Sequence, residues 1–163
     1  MAEMWKPIPK FRGYSISDQG QVRSDKSGRI LAQFENGYNL ACVAMMQEGE
    51  RRSRSVPLLV ANAFIPRPSL ETFDTPINLN GDRWDNRVEN LMWRPRWFAV
   101  KYNRQSSPWE YGIPVPMEDR FTGEVSANSF ECAKRYGLLE NDLVISTLNY
   151  QPVWPTYQEF RIL

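Results

Sequence analysis

The chain of 163 residues contains no histidine. Imidazole is the side chain whose unperturbed pKa suits it to take a proton from water near neutral pH. Its absence therefore removes the usual general base of hydrolytic sites and the commonest metal ligand. Cysteine is nearly as scarce: Cys42 and Cys132 stand far apart with no Cys or His beside them. That excludes a disulfide framework and a zinc finger, and it predicts two buried free thiols. No apolar run approaches the roughly 20 residues of a membrane helix, and the opening MAEMWKPIPK has no apolar signal core. A cytoplasmic protein without membrane contact is expected. An excess of one charge is missing too, since 20 Lys and Arg against 19 Asp and Glu leave +1.

That balance hides an asymmetry. Residues 1–104 carry 16 Lys and Arg against 11 Asp and Glu, whereas residues 105–163 carry 4 against 8. The front can face phosphate. The back alone is a poor DNA surface, because non-specific affinity comes mainly from cations that release counterions.

What is present begins with residues 5–24, WKPIPKFRGYSISDQGQVRS. Apolar and polar residues alternate about Gly-containing turns, which predicts a short β-hairpin. Trp5, Ile8, Tyr14 and Val22 suit its packing. Arg23, with Lys26 and Arg29 nearby, is a candidate phosphate contact. Residues 29–56 predict two or three further strands, Ile30 to Phe34, then Tyr38 to Met46 behind an Asn36-Gly37 turn, then a return strand. A turn tip at Glu50 to Arg54 would hold Arg51, Arg52 and Arg54 either in solvent or as a phosphate clamp. VPLLVANAF, 56–64, predicts a helix with Pro57 in its first turn and Leu59, Val60 and Phe64 as its apolar stripe.

The stretch INLNGDRWDNRVENLMW, 77–93, carries Gly81, the Asp85-Asn86 pair, Val88, and the Asn90-Leu91 step at a recognisable spacing. It resembles the HNH pattern Asn-His-x-Asp-Gly-x-x-x-Asn-Asn-x-x-x-Asn-Leu-x-Trp. Residues 5–24 resemble the small DNA-binding motif that precedes the HNH domain in homing endonucleases of phages and introns. The helix phrase resembles Val-His-Arg-Leu-Val-Ala-x-Ala-Phe-Ile-x-x-Pro of the same family. The resemblance implies a ββα finger in which a His activates water beside a divalent metal. Here the chemistry is replaced. Asn78 stands at the place of the general base, Ile77 before it, and Pro57 at a second family His, while Phe98 and Ala99 stand where relatives supply the last metal ligand. An amide cannot accept and release a proton at pH 7, and an alkyl group offers no lone pair to a hard cation. Asp82, Asp85 and Glu89 remain as carboxylates, more simply explained as solvated loop residues paired with Arg83 and Arg87.

The expected fold class is α+β: N-terminal β-hairpins, a degenerate ββα-metal (HNH-like) finger, and a small helical, helix-turn-helix-like C-terminal module. The expected domains are 1–104, with the motif at 5–24 and the finger at 56–104, a Pro- and Ser-rich linker at 105–116, and the module at 117–163. In the finger, Gly81 and Asn90 are expected to be structural, Asn90 tying the loop to the backbone.

The expected activity is not enzymatic, with no catalytic residue, no metal and no cofactor. The expected partner is double-stranded DNA, held by Arg23, Arg51, Arg52, Arg54, Arg83, Arg87 and Arg96. Trp84 is an aromatic in the loop that packing does not explain, and Arg94, Lys101, Trp93 and Trp97 are interleaved with these cations. The alternative is a phage-encoded protein-interaction module. It would inhibit a host enzyme or defence complex, or serve in a virion or other large assembly, using the acidic C-terminal part, where Glu140, Asn141 and Asp142 open the second helix. Such a protein would work in the host cytoplasm.

Overall fold

The protein is described as a computed structural model covering residues 1–163. It divides into two compact units. The first is Met1–Asn78 with Asp82–Arg96, and the second is Leu79–Gly81 with Trp97–Leu163. The division thus falls at the start of the finger's helix, not in the Pro- and Ser-rich stretch after residue 104.

In the first unit, β1 (Trp5–Pro7), β2 (Tyr14–Ser17) and β3 (Val22–Ser24) form an antiparallel sheet in chain order. A second antiparallel sheet joins β4 (Phe34–Asn36), β5 (Leu40–Gln47) and β6 (Glu50–Ser55). β5 and β6 meet through a two-residue turn, Glu48 and Gly49, with φ of 51° and 80°. Two left-handed residues match the twist of a tight hairpin. Because the turn lies there, Arg51, Arg52 and Arg54 are strand residues and not a turn tip. Helix α1 (Val56–Phe64) follows β6 without a break, with Pro57 in its first turn. Its most buried residues are Val56, Pro57, Val60 and Ala61, so the apolar stripe is rotated toward Val56, leaving Leu59 and Phe64 half-buried. β7 (Thr75–Asn78) pairs antiparallel with β8 (Leu91–Arg94), register Asn78 to Leu91. Ile8, Phe11, Ile16, Val22, Val43, Met45, Val60 and Leu91 make one apolar core under these elements.

The second unit holds nearly all of α2 (Arg96–Tyr102), then β9 (Met117–Asp119), β10 (Val125–Ser126), α3 (Ser129–Tyr136), α4 (Glu140–Leu148) and β11 (Phe160–Ile162). The two helices expected after residue 117 are present, and the three strands add a sheet of order β10-β9-β11. α2 sides with this unit because its rings find partners there. Trp97 stacks on Trp154 with centroids 5.4 Å apart, Phe98 lies 5.7 Å from the same ring, and the Tyr102 hydroxyl donates to Leu79 O at 2.7 Å.

Residues 105–116 are a packed strap, contrary to their linker-like composition. Trp109 N donates to Glu140 Oε2 at 2.6 Å and Ile113 N to Ser129 Oγ at 2.8 Å, while Ile113 is buried. Gly112 is required in this strap, since a Cβ there would lie 2.6 Å from Glu140 Oε1.

The acids of this unit are largely consumed inside it. Glu140 is 2% exposed and also accepts from Ser129 Oγ. Glu118, Glu124 and Glu159 pair with Arg161, Arg135 and Arg120, and Asp142 is half-buried, its pKa raised by burial against the pull of Lys101. The acidic opening of α4 is therefore an internal support and not a free anionic face, which removes the basis for expecting a partner there.

Asp119 is buried as well. Burial works against its charge, but Phe121 N at 2.9 Å, the Thr122 hydroxyl and Gln158 Nε2 at 2.8 Å donate to it and hold its pKa below the usual carboxylate value. A carboxylate whose pKa is lower folded than unfolded adds stability above the unfolded value of about 3.9 and loses it as pH falls through the folded value. Urea midpoints measured on acidification should drop across that window, and Asp119→Asn should flatten the drop. An equal acid slope in the variant would contradict the assignment.

Candidate nucleic-acid interface

The loop between β7 and β8 is held by amides. Asn78, 3% exposed at the end of β7, donates from Nδ2 to Asp85 O at 2.9 Å and to Asn86 Oδ1 at 2.9 Å. Asn90 Nδ2 donates to the same Asp85 carbonyl at 2.7 Å, and Asn86 Nδ2 reaches Arg83 O at 3.3 Å. Asn78, which the resemblance sets at the place of the general base, is thus spent as a two-fold donor. Gly81 adopts φ +79° with nothing near its missing Cβ, so it serves backbone conformation and not close packing.

The N-terminal motif supports this loop from within the same unit. Gly20, φ +82°, presses against Asn86, whose carbonyl oxygen would lie 3.1 Å from a Cβ there, and Val88 N donates to Asp18 O at 2.8 Å. The motif and the loop are therefore one structure. No spacing within either segment signals this contact, which is why the sequence did not reveal it.

The divalent cation that the resemblance implies does not fit the residues present. Ile77 is fully buried, and Asn78 turns its amide hydrogens to two acceptors. Phe98 and Ala99 are buried apolar groups of the second unit. No three Cys, Asp or Glu side chains converge anywhere in the chain. Asp85 instead takes Arg87 in a fork, Nε at 2.8 Å and Nη2 at 2.9 Å, with Glu89 at 3.3 Å from Arg87 Nη1. That hydrogen-bonded pairing with Asp85 raises the Arg87 pKa still further above its already high value. Asp82 caps its own turn, accepting from Trp84 N at 2.9 Å. Pro57 occupies the first turn of α1, a place where its missing N–H costs nothing.

The cations expected to meet phosphate fall into distinct groups. The side chains of Arg51 and Arg96 are exposed and make no intramolecular hydrogen bond or ion pair. Arg23 lies over the Trp5 ring, 4.2 Å from its centroid, with Asp25 at 3.8 Å. Arg52 pairs with Glu50, so its charge is locally cancelled.

Strand alternation puts Arg52 and Arg54 opposite Met45 and Val43, and Arg51 on the other face opposite Met46. The three arginines therefore do not make one clamp. Arg54 instead lies over Phe11 at 5.1 Å.

Arg83 is half-buried with its Nε shielded and unbonded, leaving its terminal nitrogens for any phosphate. Trp84 is 43% exposed and makes no ring contact. Arg94, by contrast, is buried and donates to Trp93 O, and Trp93 is core, so neither belongs to the surface. Lys101 lies over Trp97 within the second unit, 5.5 Å from the ring centroid.

Removing the Asn78 donors should destabilise the first unit. Asn78→Ala strips a buried acceptor of its donor, a cost of about 1–3 kcal/mol. Asn78→Asp should cost more at neutral pH, because it aims an anion at two oxygens, and the gap between the two variants should close as the carboxyl protonates in acid. Urea titrations at two pH values read this directly, and equal losses at both would refute the donor role.

Comparisons with known proteins agree with the geometry. Residues 3–44 match the NUMOD4 motif. Two uncharacterized HNH endonucleases of Acanthamoeba polyphaga mimivirus are similar to this chain. One is 31% identical over 94 residues, covering 56% of this chain and 24% of the relative. The other is 32% identical over 93 residues, covering 57% and 27%. The chain thus spans about a quarter of the length of these curated relatives. Among solved structures, the HNH homing endonuclease I-HmuI, from a study of its DNA binding and cleavage, superposes with a TM-score of 0.54 at 18% identity, covering 98% of each chain. At that identity the likeness speaks to fold alone. A NUMOD4 motif, viral HNH endonuclease homologues and the fold of an HNH homing endonuclease together mark what this chain resembles: the HNH homing endonucleases.

Proposed function

We propose that this chain is a nuclease-inactive relative of the HNH homing endonucleases that holds double-stranded DNA. The observation that carries the reading is the commitment of Asn78: its amide donates to Asp85 O and Asn86 Oδ1 and has no lone pair that takes a proton from water near neutral pH. The absence of any histidine from the chain supports the same reading. What survives of the ancestral equipment is the loop, its support from the N-terminal motif, and a set of exposed arginines.

Supercoiled plasmid incubated with Mg²⁺ or Mn²⁺ should stay intact. Nicking that disappears when Asp82, Asp85 and Glu89 are changed to Ala would overturn the inactive reading. Duplex affinity should fall linearly with log salt, since each phosphate neutralised adds about −0.9 to the slope. Arg51→Ala and Arg96→Ala should each weaken binding and reduce that slope by about 1. Arg87→Ala should change it less, because Asp85 and Glu89 already cancel that charge. Filter-binding titrations across a salt series decide; no measurable affinity at low salt refutes DNA binding.

A further inference from the structure

A concave groove of about 690 Å³ lies wholly within the first unit and belongs to none of the sites above. Its floor is mainly aliphatic, built from Ile8, Leu58, Leu59 and Ala63, with Phe11 beneath. Four cations, Lys6, Lys10, Arg54 and Arg67, border it, and no Asp or Glu lines it. We propose that this groove docks an acidic amphipathic segment of a partner protein, a helix with aliphatic anchors on one side and carboxylates along its flanks.

Charge complementarity names the occupant's sign, and the floor names its apolar chemistry. Nucleic acid fits less well. A base held on an apolar surface needs an open aromatic face, and the one ring that lines the groove, Phe11, is buried and lies under Arg54 at 5.1 Å. Lys6 and Arg67 are engaged on rings outside the lining, Phe64 at 4.7 Å and Trp93 at 4.6 Å. What stays open is aliphatic, which suits Leu or Ile side chains.

An added β-strand is also disfavoured. The sheet edge at the groove is β1, where Pro7 ends the strand and Pro9 follows, and neither can donate a backbone hydrogen bond. Side-chain docking of a helix is left, with apolar anchors spaced by three and four residues meeting Leu58 and Leu59. The rim is already ordered: Lys6 Nζ donates to Ala63 O at 2.9 Å and Arg67 Nη2 to Asn62 Oδ1 at 3.2 Å, so a partner's carboxylates meet cations held in place.

The test uses a fluorescein-labelled synthetic peptide of about 18 residues, with Leu at helical spacing and Glu elsewhere, and a matched peptide with Lys for every Glu. Fluorescence anisotropy with the full chain should show saturable binding of the acidic peptide alone. Methyl NMR of the wild type should place the shifts at Leu58, Leu59 and Ala63. The variant Lys10→Glu/Arg67→Glu, reversed at two exposed rim positions that are not proposed to touch DNA, should weaken the peptide by at least about tenfold and leave duplex affinity nearly unchanged. Non-saturable binding, equal binding of the Lys peptide, or shifts elsewhere in the chain would overturn the proposal. So would duplex DNA that displaces the peptide and loses affinity in proportion in the variant, which would make the groove a nucleic-acid site.

Discussion

The first unit depends on the approach of one turn to one loop. At Gly20 the chain turns with a positive φ and lies against Asn86 so closely that a side chain would meet its carbonyl at 3.1 Å. The turn is fixed from several sides. Gly20 N donates to Ser17 O, Gln21 N to Ser17 Oγ, Met4 N to Asp18 Oδ1, and Gln33 Nε2 to Gly20 O. Asp18 O then takes Val88 N, and Asn86, set in place from outside, accepts Asn78 from inside. Only glycine satisfies both the backbone conformation and the clearance. Arg83, Trp84 and Arg87 lie in the loop that this clamp holds, with Asn86 Nδ2 reaching Arg83 O.

Much of the architecture was legible where local signals were strong. Proline in the first turn and an apolar stripe marked α1 at Val56–Phe64, while the strand pair of β7 and β8 came only from the resemblance to a ββα finger. The helix is decided by residues within a few positions of one another. The losses have a common cause, which is that partners distant in sequence decided the outcome. Residues 105–116 have a linker's composition, yet Glu140 and Ser129 supply acceptors that pin them. α2 reads as the last element of a finger, yet Trp154, 57 positions beyond Trp97, gives its rings their partner. The arginines of β6 looked like one cluster because the turn was placed at Glu50. Moving it to Glu48 and Gly49 makes them alternate in a strand, and the cluster divides between two faces.

Net charge proved a coarse guide to surface chemistry. The acidic balance of the second unit suggested an anionic face, but six of its eight carboxylates, all but Glu110 and Glu131, are turned inward or paired, and exposed pairs of that kind are worth little beyond their mutual cancellation. In the first unit the same accounting removes Arg52 and Arg87 and leaves Arg51 and Arg96 as unpaired exposed cations. What a partner meets is the charge left after intramolecular pairing, and that remainder is set by cross-strand register and short loop contacts.

The residue at position 78 shows why chemistry and structure compete for one site. A primary amide carries two hydrogens on one nitrogen, and here both are used, one on Asp85 O and one on Asn86 Oδ1. A neutral imidazole has a single N–H and must keep its other nitrogen bare to receive a proton. In the same place it could reach one of these acceptors at most; Asp85 O would keep the Asn90 amide, but Asn86 Oδ1 left without a donor would cost about 1–3 kcal/mol. Asparagine at position 78 avoids that penalty. The Asn86 that it satisfies is the residue Gly20 leans on, so the gain is not confined to one loop. A hydrolytic site must keep some groups unsatisfied and ready for substrate, whereas a scaffold is best with none. The two hydrogen bonds of Asn78 are of the second kind.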